Sequence, residues 1–273
     1  MLKMPTTSIR VSQADFCVTD IGHGPAVIFL HAGVADRRMW AAQQAHLRNR
    51  YRTIAYDRRG FGATTVVAET FSHVSDLLAL MDALDIAAAV LVGCSMGGAL
   101  AMAIALAHPD RARGLVIVAS APGATETPPQ HSAFVQARLA ALTAAEATND
   151  LVAVNDIEAR LWLDGPDQPT GRVSGAVRDL FLDMNSIALR AGDVGENLRE
   201  PAVRGRLSEV RVPVLLLAGE LDFSGINAGM QEIAAQLPRA IFHCIPGCAH
   251  LPSMEQPEIV NDYLRGFLES LVQ

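Results

Sequence analysis

The run Gly93-Cys94-Ser95-Met96-Gly97 sets a serine between two glycines, each one residue removed from it. An apolar stretch, Ala89-Val90-Leu91-Val92, leads into the run, and a helical pattern from Gly97 to Ala107 leads out of it. A Gly-x-Ser-x-Gly turn between a strand and a helix holds the serine hydroxyl clear of the backbone, where it can attack a carbonyl carbon. The serine in such a turn sits on strained backbone, and side chains at the glycine positions would collide with strand and helix. Ser95 is therefore the candidate nucleophile. Its hydroxyl reacts only if a histidine takes the proton, and that histidine works only if a carboxylate holds it in the right tautomer.

Of the eight histidines, His250 is the best placed. It lies in the loop Ile245-Pro246-Gly247-Cys248-Ala249-His250, after the last strand-like run and before a terminal helical pattern from Glu258 to Leu271. His243 is the rival, but it falls inside the strand pattern; His23, His46, His73, His108 and His131 read as surface, turn or helix residues. For the carboxylate, Ala218-Gly219-Glu220-Leu221-Asp222-Phe223 offers Asp222, with Glu220 as the alternative. The earlier run Leu115 to Val118 is followed by no acid before Glu126. The chain order serine, aspartate, histidine is the one expected with this turn. A developing oxyanion needs two backbone donors. Met96 N–H is one; the loop His31-Ala32-Gly33-Val34 supplies the other, through Gly33 or, failing that, Val34, with His31 organising the loop.

These residues sit at the ends of short apolar runs that recur along the chain: 26–30, 53–56, 89–92, 115–118, 214–217 and 241–244. Their length and apolarity suit strands buried on both faces, and the helical stretches between them predict an α/β fold with a mostly parallel, doubly wound sheet. A hairpin is expected at the start, around 9–11 and 16–18. The alternation stops after Ala121-Pro122-Gly123 and resumes at Val212-Pro213-Val214. In between, helices are expected over 132–145, 152–162 and 173–189, the second stopped by Leu163-Asp164-Gly165-Pro166. This predicts a core of residues 1–124 and 209–273 carrying an inserted helical cap, 125–208. The cap offers Trp162, Phe134, Phe181, Leu182, Met184 and Leu189, with Arg160, Arg138, Asp183 and Asn185 nearby. Most of these should pack cap on core; Trp162, Phe134, Arg160 and, from the core loop, Val34 are the candidate substrate contacts. Arg160 or Arg138 would either face a substrate carboxylate or close an exposed salt bridge.

Composition excludes several other classes. With a formal charge of −7 the chain has no broad positive field for nucleic acid. No apolar run reaches the length of a bilayer span, and the first residues lack a secretory pattern, so neither a membrane partner nor export is expected and the reading is cytoplasmic. Cys17, Cys94, Cys244 and Cys248 form no disulfide framework, and Cys244, Cys248 and the neighbouring histidines lack metal-site spacing. No metal or cofactor is expected.

Taken together, the chain resembles the α/β-hydrolase superfamily, in its branch with a helical cap. The resemblance spans essentially the whole chain and rests on His31-Ala32-Gly33 running on to Met39-Trp40, on Tyr56-Asp57-Arg58-Arg59-Gly60-Phe61-Gly62, and on Ser95, Asp222 and His250. It departs from the usual pattern at Ala32, where the superfamily places glycine directly after the loop histidine. Serine at position 95 disfavours the haloalkane dehalogenases and epoxide hydrolases, which resemble this chain but use aspartate. Tyr51, Tyr56 and Tyr263 all lie outside the cap, so the cap phenols of epoxide hydrolases are missing, as is the glycine-rich oxyanion loop of lipase-like esterases. The resemblance is greatest to enol-lactonases, small-molecule esterases and cofactor-free haloperoxidase-like esterases. It implies hydrolysis of a small ester or lactone through an acyl-enzyme. Carbon–carbon bond hydrolases of ring-cleavage products share the same triad, and a non-catalytic ligand receptor on this fold is the alternative from another class. Oligomeric state is not legible.

Overall fold

The computed structural model describes residues 4–124, 131–198 and 202–271. Among these described residues nine strands form one sheet: β1 (Thr7–Val11), β2 (Ala14–Ile21), β3 (Ala26–Leu30), β4 (Arg52–Tyr56), β5 (Thr65–Val66), β6 (Ala89–Cys94), β7 (Ala112–Val118), β8 (Val214–Gly219) and β9 (Ala240–Ile245). The spatial order is β1-β2-β4-β3-β6-β7-β8-β9, with the short β5 beside β2. β2 pairs antiparallel with β1, β4 and β5, and every other pairing is parallel. Strand order therefore reverses between β3 and β6. Loops leaving the carboxyl ends of two such strands diverge and open a crevice, where ligands bind in open α/β sheets. The Gly33 loop follows β3 and Ser95 follows β6.

Burial on both sides explains why the strands read as unbroken apolar runs. Ile28, Leu30, Leu91, Leu216 and Ala218 enter one core layer, while Val27, Phe29, Val90, Val92, Leu215 and Leu217 enter the other. The first layer is closed by α2 (His73–Ala83), α3 (Met96–Ala107) and α7 (Ser224–Gln236); the second by α1 (Ala41–Leu47) and the carboxyl-terminal helices. Between β7 and β8 lie α4 (Ala133–Ala147), α5 (Leu151–Glu158) and α6 (Ala176–Leu189); α8 (Pro252–Glu255) and α9 (Pro257–Ser270) end the chain. Residues 125–130 and 199–201 of the expected insertion, Glu126 among them, lie outside the described residues.

Two helices of the insertion depart from expectation. The expected helix over 152–162 loses its α-helical spacing at Glu158 and continues as one turn of π-helix, Ala159–Leu163, ahead of Gly165-Pro166. The helix expected from 173 begins at Ala176, because the Asp164 carboxylate accepts the N–H groups of Gly171 and Val173 and holds that stretch as a loop. Ala159, Leu163, Phe181 and Met184 are buried in the second core layer, so the insertion is packed on the sheet through them. Among the described residues, no helix is long and apolar enough to cross a membrane.

Candidate active site

Ser95 stands at φ 52° and ψ −115°, between the end of β6 and the first turn of α3. A non-glycine residue there costs about 1–3 kcal/mol and persists only when its surroundings fix it. Here they do. Ser95 N–H donates to Val118 O at 2.9 Å, and Ser95 O accepts from the Ser120 hydroxyl at 2.7 Å. The flanking glycines are required by close approach: a Cβ on Gly93 would lie 2.1 Å from Gly97 O, and one on Gly97 would lie 2.2 Å from Leu30 O. Ser120 was not legible in the sequence as a clamp on this turn, since nothing in Ala119-Ser120-Ala121 marks the hydroxyl's direction.

His250 Nδ1 lies 2.8 Å from Asp222 Oδ2, and both side chains are sealed from solvent, 4% and 0% exposed. An ionised carboxylate only accepts, so Nδ1 carries the proton and Nε2 is left as the basic nitrogen. Asp222 is held in turn by the N–H of Phe223, 2.8 Å from Oδ1. The His250 loop touches the elbow through the Cys94 thiol, which lies 3.6 Å from His250 O. Of the alternatives, Glu220 is exposed and accepts from Gly247 N–H, and His243 stacks on Tyr263 with ring centroids 4.5 Å apart. Neither meets the His250 ring.

A residue that shapes this loop is not legible in the sequence. Glu255 has its side chain 3% exposed and accepts from the N–H groups of Ala249 at 3.0 Å and Leu251 at 3.3 Å, on either side of His250. Burial pushes its carboxyl upward, and the paired Arg172 guanidinium opposes that shift. Arg172 also donates to the carbonyls of Leu163 and Gly247, tying the insertion to the histidine loop. A glutamate at the end of the short α8 carries no distinguishing sequence signal.

Gly33 faces Met96: a Cβ on Gly33 would fall 2.6 Å from Met96 Sδ. The N–H groups of Gly33, Val34 and Met96 have no hydrogen-bond partner among the described residues. The loop is shaped by His31, fully buried, whose Nδ1 bonds Ala32 O at 2.7 Å and whose Nε2 accepts the N–H of Arg58 at 3.1 Å. Burial and the Arg58 charge push the His31 pKa well below its ordinary value, which keeps the ring neutral for both bonds.

The residues read as substrate contacts separate into two groups. Trp162, in the π turn, stacks on the His250 ring at 4.6 Å and on Phe223 at 5.0 Å, and its carbonyl receives His250 N–H at 3.3 Å. Val34 is half-buried beside Gly33 and packs on the second core layer. Phe134, by contrast, is 50% exposed and lies under the Arg138 guanidinium. Arg138 forms no exposed salt bridge: it is buried and donates to the carbonyls of Gly165, Pro166 and Gln168, where it fastens the loop after the π turn. Arg160 pairs with Asp156 one helical turn back, Asp183 with Arg38, and Asn185 joins Asn155 to Glu158. Among the described residues, no group of three or more His, Cys, Asp or Glu side chains could hold a metal ion.

A strained serine turn, a sealed histidine–aspartate pair and free backbone donors at the reversal point of a mostly parallel sheet define a class of protein. The chain belongs to the alpha/beta hydrolase family, whose pattern matches residues 27–263. It is 28% identical over 286 residues to a putative 2-succinyl-6-hydroxy-2,4-cyclohexadiene-1-carboxylate synthase of Bacillus subtilis, covering 98% of this chain and 100% of that one. It is 27% identical over 252 residues to 3-oxoadipate enol-lactonase 1 of Acinetobacter baylyi, covering 91% and 90%. Among solved structures, a malate-bound thermophilic esterase from Thermogutta terrifontis superposes with a TM-score of 0.77 at 26% identity, over 98% and 99% of the two chains.

Proposed function

We propose that this protein hydrolyses a small carboxylic ester or lactone through an acyl-enzyme on Ser95. The observation that carries the reading is the sealed 2.8 Å bond between His250 Nδ1 and Asp222 Oδ2, in a loop that touches the strained serine turn at Cys94. Asp222 fixes the tautomer, so His250 Nε2 takes the Ser95 proton as Oγ bonds to the carbonyl carbon. The electron pair of the carbonyl moves onto its oxygen, which receives the N–H groups of Met96 and Gly33. When the tetrahedral carbon collapses, its bond to the leaving oxygen breaks and His250 returns the proton to that oxygen. Water then repeats the sequence on the acyl-enzyme, with His250 as base, and releases the acid.

The insertion, 125–208, acts in this reading as a cap over the reacting atoms, with Trp162 and Val34 against the substrate and Phe134 and Arg160 outside the contact. The full-length similarity to an enol-lactonase and the fold shared with an esterase support ester or lactone chemistry. Incubation with a fluorophosphonate tests the reading: wild-type protein gains one label on Ser95, and Ser95→Ala gains none. Labelling that is absent, or that persists in Ser95→Ala, overturns it. A substrate screen with aryl esters, lactones and a vinylogous diketone then identifies the bond broken; cleavage of the diketone alone assigns carbon–carbon hydrolysis.

A further inference from the structure

Three consecutive charged residues follow β4, and they differ in how their charges are met. Asp57 pairs with Arg37. Arg59 pairs with Asp76 at 2.8 Å and with Glu69 at 2.8 Å. Arg58, between them, has no carboxylate partner among the described residues, although it is only 1% exposed. Its Nη2 donates to His31 O at 2.9 Å and Ala32 O at 3.3 Å, and Nε approaches His31 Nε2 at 3.4 Å. The guanidinium carbon lies 5.0 Å from the centroid of the Phe61 ring, and no hydrogen bond from Nη1 is seen among the described residues. A guanidinium withdrawn from water without a counter-charge costs several kcal/mol, a cost that an anion bound beside it offsets.

Arg58 lines a cavity of about 230 Å³, together with His73, Met96, Ala99, Leu100 and Asn197. His73 opens α2 and is buried, with Nδ1 unpartnered and enclosed. Met96 belongs to both places: it is the residue after Ser95, and it forms a wall of this cavity. The volume leaves room for a carboxylate on a short carbon arm. With a net charge of −7 the protein as a whole repels anions, so recognition of an acid has to come from a local cation such as this one. Arg138 and Arg160, the cations that the sequence suggested for this role, are engaged elsewhere.

We infer that the cavity at Arg58 and His73 is a subsite for the carboxylate of an acidic substrate, an ester or lactone whose reacting carbonyl is joined by a short arm to a free acid. This rests on the hydrolase reading of Ser95. Arg58 supplies the charge and a two-hydrogen donor at Nη1, His73 a ring N–H, and Ala99 and Leu100 the apolar wall along the arm. The acid therefore selects the substrate, while Ser95 and His250 do the chemistry.

The test compares a monoaryl glutarate with the aryl ester of 5-methylhexanoic acid, its uncharged isostere. Wild-type kcat/KM favours the acidic ester, and Arg58→Met lowers the acidic-to-neutral ratio by about 10- to 100-fold, the range for a lost hydrogen bond to a charged group. Because Arg58 also braces the Gly33 loop, Ala99→Val is the second variant: it narrows the cavity, leaves those braces in place and lowers the same ratio. A wild type that does not prefer the acid, or a ratio that survives both substitutions, overturns the assignment. Glutarate and inorganic phosphate are titrated into wild type and Arg58→Met as the binding arm. Phosphate that matches glutarate, without any preference for the acidic ester, makes this a site for free anions and overturns the substrate role. If neither ester is cleaved and Ser95 takes no fluorophosphonate, the hydrolase reading fails by itself. The titration then decides the subsite: glutarate bound by wild type and lost in Arg58→Met supports it, and no binding by wild type overturns it.

Discussion

At the scale of single residues, Asp222, Glu255 and His73 make separable predictions because each side chain is buried for a different reason. Asp222 orients His250, so Asp222→Asn should lower kcat by about 10³- to 10⁴-fold while leaving circular dichroism and melting close to wild type. Near-normal turnover would reassign the acid, and Glu220 would be the next variant to measure. Glu255 positions His250 through the N–H groups on either side of it. Glu255→Gln removes the charge facing Arg172 and should cost about 2–3 kcal/mol in a urea unfolding curve. It should also lower kcat more than it raises KM, because in the proposed mechanism the displaced part is the base rather than the binding surface. His73 gives a pH dependence. Burial, with Arg58 and Arg59 nearby, pushes its pKa down to about 3, whereas in the unfolded chain it titrates near 6.5. Between those values the unfolded state binds the extra proton, so stability falls as pH drops from about 6.5 toward 3. His73→Phe should flatten that part of a melting temperature against pH profile; an unchanged slope would assign it to another group.

At the scale of elements, the strand–turn–helix unit around Ser95 is held by contacts that leave no space for side chains. Gly97→Ala places a methyl against the carbonyl of Leu30 at the end of β3, and should destabilise the fold by about 2–4 kcal/mol, measured by urea unfolding. This unit was legible in the sequence because its constraints are local: a buried strand, two small residues and an amphipathic continuation lie next to one another in the chain. The same holds for Asp222 and His250, each of which sits in the loop directly after a strand. The insertion was less legible. Its helices were visible as periodicity, but the π turn at Ala159–Leu163 and the delayed start of α6 go with side-chain bonds from Asp164 and Arg172 that close a loop and leave no periodic signal. Arg138 illustrates the same limit. A charged residue on a helical pattern reads as exposed, and only the folded loop at 165–168 supplies the carbonyls that draw it inward.

At the scale of the whole molecule, the reversal of strand order between β3 and β6 brings Gly33 and Met96 together, and the parallel run from β6 through β8 to β9 sets Ser95, Asp222 and His250 along one edge of the sheet. The sequence showed the alternation of strands and helices but not which strands adjoin. Without that order the unpaired charge of Arg58 was invisible, since its emptiness is defined by where Asp76, Glu69 and Asp57 go instead. In the proposed mechanism the assembled edge activates Ser95 for acyl transfer. Intact mass measurement after brief exposure to a fluorophosphonate tests it most directly. One adduct, located on Ser95 and absent in both Ser95→Ala and His250→Ala, is the predicted result. An unmodified wild-type protein, or labelling as fast in His250→Ala as in wild type, would contradict it.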